Sequence, residues 1–276
     1  MKYPVWFVRL IFAAWMIPAG MNHFIELFPQ PVGTQPLSQE LFYALFDSHL
    51  FDLVKAVELV VGVMVLFGWY VPLALIVCMP VSFCVWYWDT PLEGWGSGAS
   101  IFGTAVLVSN VLLCIAYIGS YRSMFAMQST PRTLAAAAGS AAGKHLVLAG
   151  RVIFGAWMVI AGINHFFVSL YPMSGGTAPL AVQLMTALVD SKLLDVVVGI
   201  QLVTGALILA GIFVPLALCV VMPLTVCATF WELLDHQPLG VLLGLAALAL
   251  NGLLMLAYID DYKGVLQRRA LALGEA

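Results

Sequence analysis

Two stretches decide how this chain is read: AWMIPAGMNHF at Ala14–Phe24 and AWMVIAGINHF at Ala156–Phe166. Each ends an apolar run on the same Asn-His-Phe, which points to an ancestral unit written twice. The match extends outward from there. At an offset of 142, Arg9, Trp15, Gly20, Asn22 and His23 meet Arg151, Trp157, Gly162, Asn164 and His165. At 143, Thr34, Pro36, Asp52, Gly62, Gly68, Pro72, Pro80 and Trp88 meet Thr177, Pro179, Asp195, Gly205, Gly211, Pro215, Pro223 and Trp231. At 141, Asn110, Tyr117 and Tyr121 meet Asn251, Tyr258 and Tyr262. The chain is a tandem duplication, with one unit over 1–125 and a second over 147–268. An Ala-rich linker over 126–146 joins them, and 269–276 forms a tail.

Composition says what surrounds each unit. The 276 residues are 63% hydrophobic and 9% charged, against about 25% charged in ordinary soluble domains. That much apolar surface needs a bilayer. Four apolar runs recur per unit: Leu10–Leu27, Leu50–Phe67, Tyr70–Trp88 and Ser100–Ile118, then Val152–Leu170, Leu193–Leu209, Ile212–Phe230 and Leu239–Ile259. Each approaches the roughly 20 residues that a spanning helix needs. The expected fold is an all-α integral membrane protein of eight transmembrane helices, arranged as two parallel four-helix repeats. The first run reads as a retained helix and not as a cleaved signal, because it recurs mid-chain. GWYVP and GIFVP join the second and third runs as tight hairpins, with Gly closing one helix and Pro opening the next. PLSQELFYALFDS and PLAVQLMTALVDS read as short surface helices, after which Asp47-Ser48 and Asp190-Ser191 cap the next helix.

Nine of the eleven basic residues, all but Lys55 and Lys192, fall on one side of this layout. The positive-inside rule then places both termini, the linker and the hairpin turns in the cytoplasm of a bacterial inner membrane. A net charge of -3 and the absence of basic stretches with interleaved aromatics exclude nucleic acid as a partner. The five cysteines lie in apolar runs without a CxxC, so they read as packing residues, and no metal site is expected.

Eleven residues are the candidates for a ligand or proton site: Asn22, His23, Glu26, Asp52, Lys55, Glu58, Trp88, Asn164, His165, Asp195 and Gln201. Asn and His at a helix end have a plain use, bonding loose carbonyls and the following loop. The sharper use is a quinone or proton site, because ionisable groups in a span are costly. A haem held between His23 and His165 is the weakest alternative. Asp52, Lys55 and Glu58 are spaced by three on one helix face. They form either a proton or headgroup site joined by His23 and Glu26, or an ion pair that fixes packing. The second unit has Asp195, Val198 and Gln201 there, so any single active site belongs to the first unit. Met79 with Cys84 and Met222 with Cys227 are spaced by five, on different faces, which favours a proline kink over copper(I). Trp88 and Trp231 read as an aromatic belt, with stacking on a quinone as the alternative. No HExxH, GxGxxG, Walker loop or nucleophile elbow occurs, so nothing identifies a self-contained enzyme or its catalytic residues.

DLVKAVELVVGVMVLFGWYVPLAL and DVVVGIQLVTGALILAGIFVPLAL, following a first helix that ends in a Gly and a small polar cluster, resemble the DoxX-like family of membrane proteins. Glu58, Gly62, Gly68 and Pro72 match its acidic, Gly-rich second helix. In the second unit Gly205, Gly211 and Pro215 match, while Gln201 replaces the acid. The resemblance covers most of the chain, one family unit per half. It implies an accessory or quinone-linked subunit of a membrane redox system, with a soluble or membrane oxidoreductase as partner and a quinone as the cofactor in reach. A small-molecule or proton-coupled transporter is the first alternative. A membrane assembly or trafficking factor without catalysis is the second.

Overall fold

The structure is a computed structural model and describes residues 2–131, 141–172 and 175–273. Part of the expected linker, with Arg132, and the end of the tail lie outside the described residues. Among the described residues the chain is helical and no strand occurs. Five main helices come first: α1 (Lys2–Ile25), α2 (Pro36–Asp47), α3 (Leu50–Phe67), α4 (Val71–Tyr87) and α5 (Gly98–Ala116). Five more follow in the same order: α6 (Ala141–Phe166), α7 (Pro179–Asp190), α8 (Leu193–Ala210), α9 (Val214–Asp235) and α10 (Pro238–Ala257).

Among the described residues seven helices are long and apolar enough to cross a membrane: α1, α4 with its extension to Leu92, α5, α6, α8, α9 and α10. α3 has the 18 residues of its counterpart α8. It differs in carrying Asp52, Lys55 and Glu58, which put it outside that apolar class.

The helix ends follow from side-chain chemistry. Gly68 and Gly211 close α3 and α8 in the left-handed region, at φ 73° and 75°, and Pro72 and Pro215 lie in the first turns of α4 and α9. This is the expected hairpin. The arginine of each first helix completes it. Arg9 donates from Nε and Nη2 to Val65 O at 3.2 and 2.7 Å, and Arg151 does the same to Ile208 O at 3.3 and 3.0 Å. A cation thus meets a last-turn carbonyl of the helix C-terminus, one that also accepts the N–H of the closing glycine. The expected caps on α3 and α8 are different. His49 and Lys192, at φ 62° and 61°, take the cap positions without a side-chain bond. Ser48 and Ser191 donate backwards, to Leu45 O and Leu188 O, because their backbone still belongs to the short helix.

Two compact units result: Met1–Arg122 with Lys263–Ala276, and Ser123–Tyr262. Each takes in the segment that follows the last helix of the other repeat. Tyr70 N–H, at the start of α4, donates to Arg268 O at 3.0 Å, and Leu273 N–H donates to Ala116 O at 2.8 Å. Phe213 N–H, at the start of α9, donates to Met127 O at 3.3 Å. Orphan donors at a helix N-terminus are satisfied this way.

Within the first unit α1 packs chiefly on α3, and within the second α6 packs chiefly on α8. Glycines set the approach. A Cβ on Gly20 would lie 2.7 Å from Leu59 N and 2.8 Å from Lys55 O, and one on Gly62 would lie 2.8 Å from Ile17 Cγ1. In the second unit a Cβ on Gly155 would lie 3.0 Å from Gly205 O. Small residues of this kind let membrane helices meet backbone to backbone. Gly20→Val therefore forces α1 and α3 apart. It should cost about 1–3 kcal/mol, as overpacking does, read as a lowered Tm in detergent. Gly252→Ala, with nothing within 4 Å of its Cβ, should leave Tm unchanged.

Candidate functional site

Asn22 and Asn164 take the plain role. Asn22 Oδ1 accepts Phe28 N–H at 2.7 Å, and its Nδ2 donates to Gln30 Oε1 at 3.1 Å. Asn164 Oδ1 accepts Leu170 N–H at 2.8 Å and Tyr171 N–H at 2.9 Å. Both are buried, and both hold the loop that leaves the first helix of their unit.

The histidines reach sideways instead. His23 Nε2 meets Asp52 Oδ1 at 2.6 Å, and His165 Nε2 meets Asp195 Oδ1 at 2.7 Å. An ionised carboxylate only accepts, so the imidazole is the donor at Nε2. The same cross-helix pair therefore ties α1 to α3 and α6 to α8. The pairs differ around it. His23 packs edge-on to Phe24, Phe46 and Phe51, with centroids 5.0, 5.7 and 5.3 Å away. Asp52 also takes His49 Nδ1 at 3.0 Å. His165 keeps its Nδ1 buried with no partner among the described residues.

One turn beyond Asp52, Lys55 Nζ donates to Glu58 Oε2 at 2.8 Å. Both are buried, and Glu58 is 2% exposed. Lys55 Nζ also lies 4.9 Å from the centre of the Phe51 ring, a cation–π contact. Gly20 makes this possible, since it lets the backbone of Lys55 come against α1. Glu26 stands apart: it is exposed, at φ 48°, after the end of α1. Among the described residues no side-chain hydrogen bond or ion pair joins it to the others. In the second unit Val198 is buried and Gln201 half-buried at the positions of Lys55 and Glu58, so that unit has no counterpart of the ion pair.

Trp88 is tied down. Its Nε1–H donates to Ser38 O at 2.9 Å, and Trp231 Nε1–H donates to Ala181 O at 2.9 Å. The repeated tryptophans thus pin the short helices α2 and α7 to the ends of α4 and α9.

Three acids absent from the sequence-based candidates lie near the short helix of each unit. Glu93 accepts Thr34 N–H at 2.8 Å, Thr34 Oγ1–H at 2.7 Å, Gln35 N–H at 3.2 Å and the Ser38 hydroxyl. Asp235 accepts the N–H of Thr177, Thr177 Oγ1–H at 3.1 Å and Ala178 N–H at 2.9 Å. Each carboxylate caps a short helix from another element, where the helix dipole favours a negative charge. Gly33 and Gly176, at φ 87° and 91°, bring the chain past them. The third acid is Asp89, buried at 7% exposure in a π-helical turn, Trp88–Leu92, that continues α4. The one legible signal was positional: an acid follows each repeated Trp, as Asp89 and Glu232.

Among the described residues no three His, Cys, Asp or Glu side chains come together as a metal group. No family model matches the chain, and neither does any characterised protein or solved structure.

Burial raises the Glu93 carboxyl, but the hydrogen bonds from Ser38, Thr34 and Gln35 outweigh it and hold the group below its ordinary 4.5. A depressed carboxylate contributes stability above its unfolded value, lost as pH falls through the lower folded one. Thermal unfolding of the wild type should therefore lose stability below pH 4.5 more steeply than Glu93→Gln. In the same assay, Asp52→Asn should lower Tm more than Glu26→Gln, because only Asp52 links two helices.

Proposed function

We propose that the chain is an eight-span, DoxX-like integral membrane protein of two parallel four-helix repeats. Its termini lie in the cytoplasm of a bacterial inner membrane. Its first repeat handles protons for a quinone-linked membrane redox system in which it is an accessory subunit. The buried Lys55–Glu58 pair, one turn inward of His23–Asp52, is the observation that carries this reading.

α3 is the eighth span. A lone charged residue at a helix centre costs about 2.5–3.5 kcal/mol, while a Leu, Ile, Phe or Val returns about 0.3–0.6 kcal/mol. At those values three charges outweigh the apolar gain of an 18-residue helix inserted alone. α3 is stable across a bilayer only as part of its bundle, with Lys55 neutralised by Glu58 and Asp52 tied to His23. Removing one member of a buried pair costs about 3–5 kcal/mol. Retaining such a pair in one repeat, with Val198 and Gln201 in the other, assigns it more than a packing role.

Quinol oxidation releases protons as well as electrons, so a subunit beside it needs ionisable groups between the bilayer interior and the surface. Glu58, Lys55, Asp52 and His23 form such a series along α3 and α1. The quinone ring would find hydrogen-bonding groups there and lipid for its tail. The same buried charges beside a duplicated bundle favour proton-coupled transport as the second reading.

Gentle purification from native membranes, with mass spectrometry of co-eluting lipid and protein, tests this. The redox reading expects a bound quinone or a co-eluting oxidoreductase, with quinone content falling at least about tenfold in Glu58→Gln, near 1.4 kcal/mol of binding. A preparation free of both, whose vesicles carry proton-coupled solute flux abolished by Glu58→Gln, would replace it with the transport reading.

A further inference from the structure

Each hairpin end is held by two different stretches of chain. The first is its own. Tyr121, just after α5, donates to Pro72 O at 3.0 Å, and Tyr262, just after α10, donates to Pro215 O at 2.7 Å. The second belongs to the other repeat. Two residues before each proline, Tyr70 N–H donates to Arg268 O at 3.0 Å and Phe213 N–H donates to Met127 O at 3.3 Å. Met127 and Arg268 match at the offset of 141, as Tyr121 and Tyr262 do, and Tyr70 and Phe213 match at 143. The same bond is therefore made twice, and both times across repeats. Tyr70 and Phe213 cap α4 and α9 in the left-handed region, at φ 47° and 50°, a conformation that bulky residues seldom take. The arm's carbonyl holds the N–H of each one there.

The rest of the two arms, 123–131 and 263–273, follows the same plan. Met124 and Val265, matched at 141, are both buried, at 1% and 3% exposure. Ser123 Oγ donates to Asp261 O at 2.6 Å, and in the matching place a Cβ on Gly264 would press on Ser120 O. Asp261 and Ser120 are themselves matched at 141, so each arm passes the same carbonyl in the final turn of the other repeat. Leu273 N–H then ties the second arm to Ala116 O at 2.8 Å, at the end of α5. The compact units are divided accordingly, with 263–276 in the first and 123–131 in the second.

Chain length does not force this exchange. Six residues separate Tyr121 from Met127, a reach of up to about 20 Å, and Tyr121 is already tied two residues from Tyr70. An arm could therefore close on its own hairpin. We propose that the hairpin end of each four-helix repeat is a docking surface for the arm of another repeat, and that the two reciprocal arms, independently of the linker, hold the repeats of this chain together. The surface takes a segment that offers a buried apolar residue and, three positions on, a backbone carbonyl: Met124 and Met127 in one arm, Val265 and Arg268 in the other. Exchanging a matching element is a low-cost way to join two like units. The four-helix repeat is thus built to pair, and the tandem chain is that pair written once.

The inference needs none of the chemistry proposed for α3. The full chain with a protease site placed within 132–140 tests it. Residues joined by a backbone hydrogen bond are near enough for a disulfide, whose Cα atoms stand about 4.4–6.8 Å apart. Tyr70→Cys with Arg268→Cys, and Met127→Cys with Phe213→Cys, are the exchanged pairs. After oxidation and cutting, each should keep the two fragments joined as one band at full mass on a non-reducing gel, which reduction splits. Tyr70→Cys with Met127→Cys, and Phe213→Cys with Arg268→Cys, report an arm closed on its own hairpin, and their thiols should stay open to maleimide. Single-cysteine variants set the background from the five native thiols. With no cysteine introduced, the cut chain should elute from a sizing column as one species. Fragments that part on cutting, links in the own-hairpin pairs, or failure of both exchanged pairs would overturn the proposal. A band at twice the full mass would overturn it in favour of arms exchanged between two copies of the chain.

Discussion

Apolar helices in an apolar solvent have no hydrophobic reason to associate, so they depend on how closely their backbones can come. Here that approach is made by glycine. Gly20 lies against the backbone of Lys55 and Leu59, and Gly62 lies against Ile17, so α1 and α3 meet without side chains between them. The rest of the first unit follows from that contact. It brings His23 to Asp52, seats Lys55 beside α1, and lets Arg9 reach the last carbonyls of α3. The second unit repeats the contact through Gly155, Gly162 and Gly205, with His165–Asp195 and Arg151–Ile208 in the same places.

The two units can be compared with one another. Both hold the same interactions: the His–Asp pair, the arginine on a helix end, the Trp that pins a short helix, and the acid that caps it. Tyr121 and Tyr262 belong with them, donating to Pro72 O and Pro215 O at 3.0 and 2.7 Å. So do Asn110 and Asn251, which donate to Ser82 Oγ and Thr225 Oγ1. What the first unit has and the second lacks is the buried Lys55–Glu58 pair, in whose place the second unit has Val198 and Gln201.

The helices and hairpins were legible because they rest on local rules. Run length marked the long helices, and Gly68, Pro72, Gly211 and Pro215 marked the hairpin turns. The ends of α1 and α6 were legible in part. Asn at a helix end was expected to bond the following loop, and Asn22 and Asn164 do so, each accepting an N–H six positions on. The caps expected from Ser48 and Ser191 went elsewhere. A hydroxyl near a helix junction can bond forward or back, and His49 and Lys192 in the left-handed region left Ser48 and Ser191 facing back.

The candidate site divides along the same line. Sequence alone determined the apolar helices and the face on which Asp52, Lys55 and Glu58 lie, because run length and a spacing of three along a helix are local geometry. It also singled out the half in which the charges survive. Only the tertiary structure decided that His23 bonds Asp52 while Glu26 stands apart, that Trp88 is tied to Ser38, and that Glu93 and Asp235 cap helices distant in the chain. Those partners come from different helices, and the angle and depth at which helices pack depend on the glycines between them, which no single segment encodes.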